Sequence, residues 1–287
     1  MKVSIIICSL NVREILRENL TKLFAQKILA SFEVIVIDNG SKDETTAMLK
    51  NDFKRVHRIR NEKNTGFAFA CNQGLKIATG DFLLLLNPDM LVGKGAIDSL
   101  VTLLESRKDI GVVGVHLTRP DGTLVESVRR DPQFVDQLAI LLKFPHLFPN
   151  LVATYLAKDF DYATSKEVDQ VRGSFFAFRR DVLDTVGLFD AKNFFVWFEE
   201  VDFCKRVRNA GFKIWYSADV SCTDLVGQTF RQQSSRIKQS RFSKSLARYF
   251  WKWHPKYQSV IFFSLRPFVI GVGALIDLVH IKSRLWK

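Results

Sequence analysis

The sequence predicts an α/β protein built on a mostly parallel sheet flanked by helices, with a helical extension at its C-terminus. Three observations carry this expectation. Apolar runs alternate with stretches of helical periodicity over the first 115 residues, the pattern of a parallel sheet joined by right-handed crossovers. The run Phe82–Leu86 (FLLLL) has no polar alternation, as suits a strand covered on both faces. Aspartates stand at or just past the ends of two such runs, at Asp38 and Asp89, where open α/β sheets gather their ligands.

Each element follows in order. The stretch 2–11 (KVSIIICSLN) reads as a strand ending in small polar residues. Between Val12 and Gln26, the residues Ile15, Leu16, Leu20, Leu23 and Phe24 recur at helical spacing. A second apolar run, FEVIVIDNGS, ends in Asp38. Ser41 followed by Glu44 reads as a capping box opening a helix through about Leu49. VHRIR is a short strand and the alanine-rich stretch Phe67–Ile77 a helix. The FLLLL strand must stop near Asn87, because Pro88 has no N–H for the ladder. A helix near Gly95–Ser106, the strand GVVGVHL and a turn at PDG follow. From Arg129 to Lys158 the pattern weakens among prolines. Order returns with VRGSFFAFRRDVL, then with a helix whose face is traced by Val201, Cys204, Val207 and Arg208 and which ends at Gly211.

With 287 residues, 47% hydrophobic and 25% charged, the chain can bury a full core as one large domain or a domain with an appendage. Cys8, Cys71, Cys204 and Cys222 are widely spaced and form no CxxC. They read as reduced, mostly buried thiols of a cytosolic protein, not a disulfide framework or zinc site. MKVSIIICSL enters apolar alternation at once and lacks a cleavage site, so no signal peptide is expected. CSLN stands where a GxGxxG would follow the first strand, and GxxxxGK[ST] is absent. A dinucleotide-binding or P-loop reading therefore lacks its phosphate loop.

The segments resemble, in their right order over about residues 3–229, the family 2 glycosyltransferases, inverting enzymes of the GT-A fold, and most closely their rhamnosyltransferase-like branch. SIIICSLN and VIVIDNGSKDET resemble the nucleotide-binding segments. NTGFAFACNQGLKIATGDFLLLLNPDM resembles the block running into the metal-binding DxD-type motif, here reduced to NPD. RGSFFAFRRDVLDTVGLFD and FFVWFEEVDFCKRVRNAGFKIWY resemble the acceptor-side block. The resemblance implies a Rossmann-like GT-A sheet in residues 1–229, with a nucleotide-sugar-binding half (1–115) and an acceptor-side half (116–229). It implies a nucleotide-sugar donor (dTDP-, UDP- or GDP-linked) held along Ser9, Asn11, Asp38, Asn39, Gly66, Asn72, Asn87 and Asp89. Asp38 also reads as a cap of the NGS loop. Gly66 also reads as a plain helix entry, and Asn72 and Asp81 as groups bonding nearby backbone. Mg2+ or Mn2+ on Asp89 would offset the diphosphate charge, since hard cations take oxygen ligands.

Two departures from the family pattern stand out. FEEVD occupies the place of Glu-Asp-x-Asp, so Glu200 stands where the general base is usually Asp, with Glu199 and Asp202 as neighbouring candidates. All three also read as favourable charge in a first helical turn. In VSCTDLVGQTF, Asp224 replaces a metal-binding His by register; a simple loop Asp is the other reading. These departures leave room for a catalytically silent homologue that still binds nucleotide-sugar or glycan. A nucleotidyltransferase is disfavoured, because no Gly-rich basic loop follows the first strand.

Charge is unevenly placed. From Leu225 to Lys287 twelve Lys and Arg face one acid, Asp277, so this tail carries +11 of the formal +12. Its cations, from Arg231 to Lys256, are interleaved with aromatics, and the apolar stretch VIFFSLRPFVIGVGALIDLVHI follows. Arg266, Pro267 and Asp277 interrupt this stretch, which makes full spanning marginal. The extension, residues 230–287, therefore suits a helix lying on an anionic membrane surface, with a helical pair packed on the core as the other reading. No nucleic-acid module accompanies it. The expected acceptor is lipid-linked or a polysaccharide, and the expected place is the cytoplasm, peripheral on the inner face of the cell membrane. A truncation from about Ser259 is expected to leave a foldable body.

Overall fold

The computed structural model describes residues 1–225 and 233–285. The first half supplies strands β1 (Lys2–Ser9), β2 (Ser31–Asp38), β3 (His57–Arg60), β4 (Phe82–Leu86), β5 (Met90–Val92) and β6 (Ile110–Thr118). Between them lie helices α1 (Arg13–Ala25), α2 (Thr45–Asp52), α3 (Phe67–Ile77) and α4 (Ala96–Ser106). The second half adds short strands β7 (Leu124–Val125) and β8 (Val128–Arg129), helix α5 (Phe134–Leu141), and strands β9 (Lys166–Val168), β10 (Gln170–Val171) and β11 (Phe175–Arg179). Helices α6 (Arg180–Val186) and α7 (Glu199–Asn209) and strand β12 (Lys213–Asp224) complete it.

The main sheet runs β3-β2-β1-β4-β11-β6-β12-β5. β1, β2, β3 and β4 pair in parallel, as the alternation predicts. β11 then enters antiparallel between β4 and β6, and β12 lies parallel to β6. The two sequence halves thus share one sheet, and the division near residue 115 separates no structural units. β4 is buried along its whole length. Leu84 and Leu86 enter one core with Ile5, Ile7, Leu16 and Leu100, whereas Leu83 and Leu85 enter another with Ile6, Cys71, Phe176 and Phe203. That two-faced burial explains why FLLLL carries no polar alternation. Three of the four free cysteines are buried, as expected.

The start of α2 differs from expectation. Ser41 and Glu44 make no capping box: the helix begins at Thr45 behind Glu44 in the left-handed region (φ 63°). Ser41 Oγ instead accepts from the Asn11 amide at 3.0 Å, and Asp43 Oδ1 accepts from the Thr45 amide at 3.3 Å. The polar groups are spent tying this loop to the one after β1.

Beyond the undescribed stretch 226–232, which holds the expected 229/230 boundary and Arg231, lie α8 (Ser235–Trp253) and α9 (Lys256–Leu285). The two helices pack along each other. Asp277 Oδ1 and Oδ2 accept from the Ser235 and Arg236 amides at 2.7 and 3.0 Å. The tail's single acid thus caps the start of α8, where a carboxylate is favoured. A third core joins this hairpin to the body: Leu246, Tyr249 and Phe250 of α8 and Phe262 and Val269 of α9 meet Leu141, Phe194, Phe198 and Val201. Ser259 is also buried and donates to Ala247 O at 2.7 Å. The expectation that a truncation from about Ser259 leaves a foldable body is therefore corrected, since it would remove Ser259, Phe262 and Val269 from the core. Phe262→Ala should cost about 3–5 kcal/mol, read as a lowered melting temperature; an unchanged melt would contradict this packing.

The opposite face of α9 is bare. Tyr257, Val260, Phe263, Phe268, Leu275 and Val279 are exposed, and Val135, Phe144, Leu147 and Phe148 add exposed apolar groups on and just after α5. Phe134 of α5 meets Phe262 of α9 with ring centres 5.2 Å apart, so the two regions adjoin. Lys256–Val279 is long and apolar enough to cross a membrane by length and composition alone.

Candidate active site

The cleft opens beyond the ends of the strands, where β4 stops and the chain turns through Asn87, Pro88 and Asp89. Two pairings close it. Asn87 N donates to Ser174 O at 2.9 Å, bringing in the segment before β11. β5 pairs antiparallel with the end of β12, setting Asp224 opposite Met90; Leu225 N donates to Asp89 O at 2.9 Å. Sequence-distant Asp89 and Asp224 therefore line one cleft, both buried. Arg172 joins them, its Nη1 3.4 Å from Asp224 Oδ2.

A contiguous recess shares Phe67, Asn87, Arg172 and Val196 with this cleft and adds Glu199 and Glu200 from the first turn of α7. Trp197 and Phe198, both at positive φ (65° and 68°), turn the chain into that helix, a conformation that carries strain in bulky residues. Glu199 Oε2 and Glu200 Oε2 are buried without a hydrogen-bond partner. Burial, and then the neighbouring Glu200, push the Glu199 carboxyl well above the usual carboxylate range. Burial also raises Glu200, but Arg172 opposes it. The arrangement favours one proton on Glu199 and a charge on Glu200, because two adjacent buried carboxylates resist ionising together.

Asp202 lies elsewhere. Fully buried, it takes Arg206 Nε at 2.9 Å, Lys252 Nζ at 2.7 Å and Trp253 Nε1 at 2.8 Å. It ties α7 to α8 and does not line the recess. Asp38 has both oxygens occupied within its own loop, by the Ser41 amide at 2.9 Å and by the Thr46 hydroxyl, which is the loop-cap reading. Asn72 is spent on both backbone groups of Phe189, at 2.8 and 3.0 Å. Gly66 (φ 93°) is close to Phe195, whose carbonyl would lie 2.6 Å from an added Cβ. The glycine thus accommodates a loop of the chain itself. Asn39 and Asn87 both line the cleft, but the Asn39 amide is spent on Asn61, Asn64, Thr65 and Gly66. Ser9 is buried with an unpartnered Oγ, and Asn11 lines a separate hollow with Lys42 and Asp43.

Several cleft residues escaped sequence reasoning. Arg172 stands inside a quoted motif but gave no signal of its own. Phe195, Gln233 and Arg241 reach the cleft from other elements. Arg241 belongs to α8, within the segment expected to lie on a membrane or to pack on the core, not to line the cleft.

Among the described residues no group of three or more His, Cys, Asp or Glu forms a metal cluster. Asp89 and Asp224 nonetheless offer two buried carboxylates in one cleft. An all-oxygen pair of this kind fits a hard divalent ion that takes its remaining ligands from water and phosphate.

The family model "Glycosyl transferase family 2" matches residues 4–187. The chain belongs to that family. Its relatives include the N-acetylglucosaminyl-diphospho-decaprenol L-rhamnosyltransferase of Mycobacterium tuberculosis. It is 26% identical over 204 residues, covering 67% of this chain and 65% of the relative. The glycosyltransferase YfnE of Bacillus subtilis is 37% identical over 122 residues, 42% of this chain and 31% of the relative. The chain thus spans less than two thirds of either relative. Among solved structures, the mannosyltransferase PcManGT of Pyrobaculum calidifontis, in complex with GDP-Man and Mn2+, superposes with a TM-score of 0.59. Identity there is 18%, with 95% of this chain and 73% of the other covered. TarS 1-349 of S. aureus gives a TM-score of 0.54 at 16% identity, covering 87% and 72%. The fold of this family 2 chain is that of the GT-A glycosyltransferases, as the motif resemblance implied.

Proposed function

We propose that the chain transfers a sugar from a nucleotide-sugar donor to a lipid-linked or polysaccharide acceptor with inversion at the anomeric carbon. The observation that carries this reading is the continuous recess joining the Asp89–Asp224 pair to the Glu199–Glu200 pair. In this reading residues 1–229 are the transferase domain and 230–287 its extension. Glu200 accepts the proton of the acceptor hydroxyl as that oxygen forms its bond to the anomeric carbon, and the bond to the nucleoside diphosphate breaks on the opposite side. Glu199, holding its proton, lets Glu200 keep the single charge. Asn87 orients the donor, while Asn39 holds the loop around Asn61, Asn64 and Thr65 in place beside it. Mg2+ or Mn2+ held by Asp89 and Asp224 would offset the charge of the departing diphosphate. The M. tuberculosis relative, named for a diphospho-decaprenol substrate, supports a lipid-linked acceptor. Turnover of dTDP-, UDP- and GDP-sugars with extracted lipid acceptor, with and without chelator, tests this. Donor binding without turnover on any acceptor would favour the silent homologue instead, a reading that the Arg172–Asp224 contact supports, since the guanidinium meets a carboxylate that a cation would use.

We further propose that the protein sits on the cytoplasmic face of an anionic membrane through the bare face of α9 and the adjoining apolar groups after α5. Burial of Ser259, Phe262 and Val269 favours a helix lying along the surface over one that spans. The full-length chain should float with anionic vesicles. Each surface Lys or Arg contributes about 1 kcal/mol, a share that fades with salt, while the apolar share persists. Phe268→Glu, on the exposed face, should weaken flotation at high salt without lowering the melting temperature. Flotation equal to the wild type would remove α9 from the contact.

A further inference from the structure

Two guanidinium groups face the cleft from separate elements. Arg172 follows β10, and Arg241 lies on α8. Arg241 lies over the ring of Phe195, its Cζ 4.5 Å from the ring centre, and its Nη1 donates to Gln233 Oε1 at 2.7 Å. Stacking and hydrogen bond hold the fork in one orientation in the lining of the cleft. No carboxylate among the described residues neutralises it, in contrast to Arg179, Arg206 and Arg208, which meet Asp181, Asp202 and Asp131. Burial alone lowers its pKa. Arg172 meets Asp224 only at 3.4 Å, with its side chain 40% exposed.

A half-buried, oriented guanidinium with no anionic partner suits an incoming anion, and the planar fork matches phosphate oxygens. One carboxylate would satisfy one fork; a diphosphate has oxygens enough for both. We propose that Arg172 and Arg241 together clamp a diphosphate group in the cleft, making the C-terminal hairpin part of the substrate site as well as a docking element. This rests on the donor reading above and extends it, because the diphosphate is either that of the nucleotide donor or that of a lipid-linked acceptor.

Calorimetric titration of the full-length chain separates the cases, using inorganic pyrophosphate, a panel of nucleoside diphosphates and a polyprenyl diphosphate in detergent, each in EDTA and again with Mg2+. Loss of charged hydrogen bonds in Arg241→Gln and Arg172→Gln should weaken pyrophosphate roughly ten- to hundredfold in both conditions. Arg241→Lys, which keeps the charge but loses the fork, should fall between. Matching melting curves would exclude unfolding as the cause. A parallel loss for nucleoside diphosphates assigns the clamp to the donor; a loss confined to pyrophosphate and the polyprenyl ligand assigns it to the acceptor. If both Gln variants bind all three probes like the wild type, the clamp is overturned while the donor reading stands. If the wild type binds none of them under either condition, both fall.

Discussion

Glu200→Gln should keep donor affinity and lose turnover by roughly 10²–10⁴, the usual worth of a positioned base. Glutamine preserves the shape of a side chain that shares its recess with Asn87 and Arg172, so a loss of rate without a loss of binding would isolate proton transfer. Near-normal turnover would move the role to Glu199, since Asp202 is already committed to Arg206, Lys252 and Trp253. Glu200→Asp is expected to be slower than the wild type as well, because retracting the carboxylate by one methylene misplaces it. A faster Asp variant would mean that the pocket has not adapted to glutamate. The pH profile follows from the raised Glu200. The base works only when deprotonated, so activity should fall on the acid side at a pH above the ordinary carboxylate range. Glu199 leaves a different trace. Its folded pKa lies above its unfolded one, so the folded state holds the extra proton and stability declines as pH rises from the unfolded pKa towards the folded one. Glu199→Gln, which mimics the protonated form, should flatten that decline in melting temperature against pH. An unchanged slope would show that Glu199 is ionised in the native protein.

Asp89→Ala should abolish metal-dependent donor binding with little change in melting temperature. The side chain lies past β4 and outside both sheet cores, and the hydrogen bond from Leu225 N is to the Asp89 backbone carbonyl, which alanine retains. The wild-type chain treated with chelator should bind donor as weakly as Asp89→Ala without it, and adding Mn2+ should rescue only the former. Donor affinity that stays unchanged in the variant and still responds to chelator would place the ion elsewhere. Asp224→Asn should give a smaller loss, because the amide keeps an oxygen ligand while shedding the charge that also meets Arg172.

The sequence by itself determined whatever depends on short-range pattern. The two-faced strand Phe82–Leu86, its stop before Pro88, the helix ending at Gly211 and the position of Asp89 past a strand end all follow from local periodicity and backbone chemistry. The ordered motifs likewise sufficed for the family and the GT-A fold. Tertiary structure decided what depends on which distant segments meet. Residues equally acidic in sequence separate in space: Glu199 and Glu200 face the recess, whereas Asp202, two residues further along the helix, turns to Lys252 and Trp253 of α8. Asp38 and Asn72 look alike as ligand contacts in a motif, yet Asp38 also binds its own loop through Ser41 and Thr46, and the Asn72 amide binds both backbone groups of Phe189. Arg241 carries no signal in sequence because its role depends on Phe195, 46 residues earlier and on a different element. The same holds for α9, whose composition reads as one apolar segment while packing divides it into a buried face at Phe262 and an exposed one at Phe268. Composition reports how apolar a helix is; only the partners it finds determine which side of it meets water, protein or lipid.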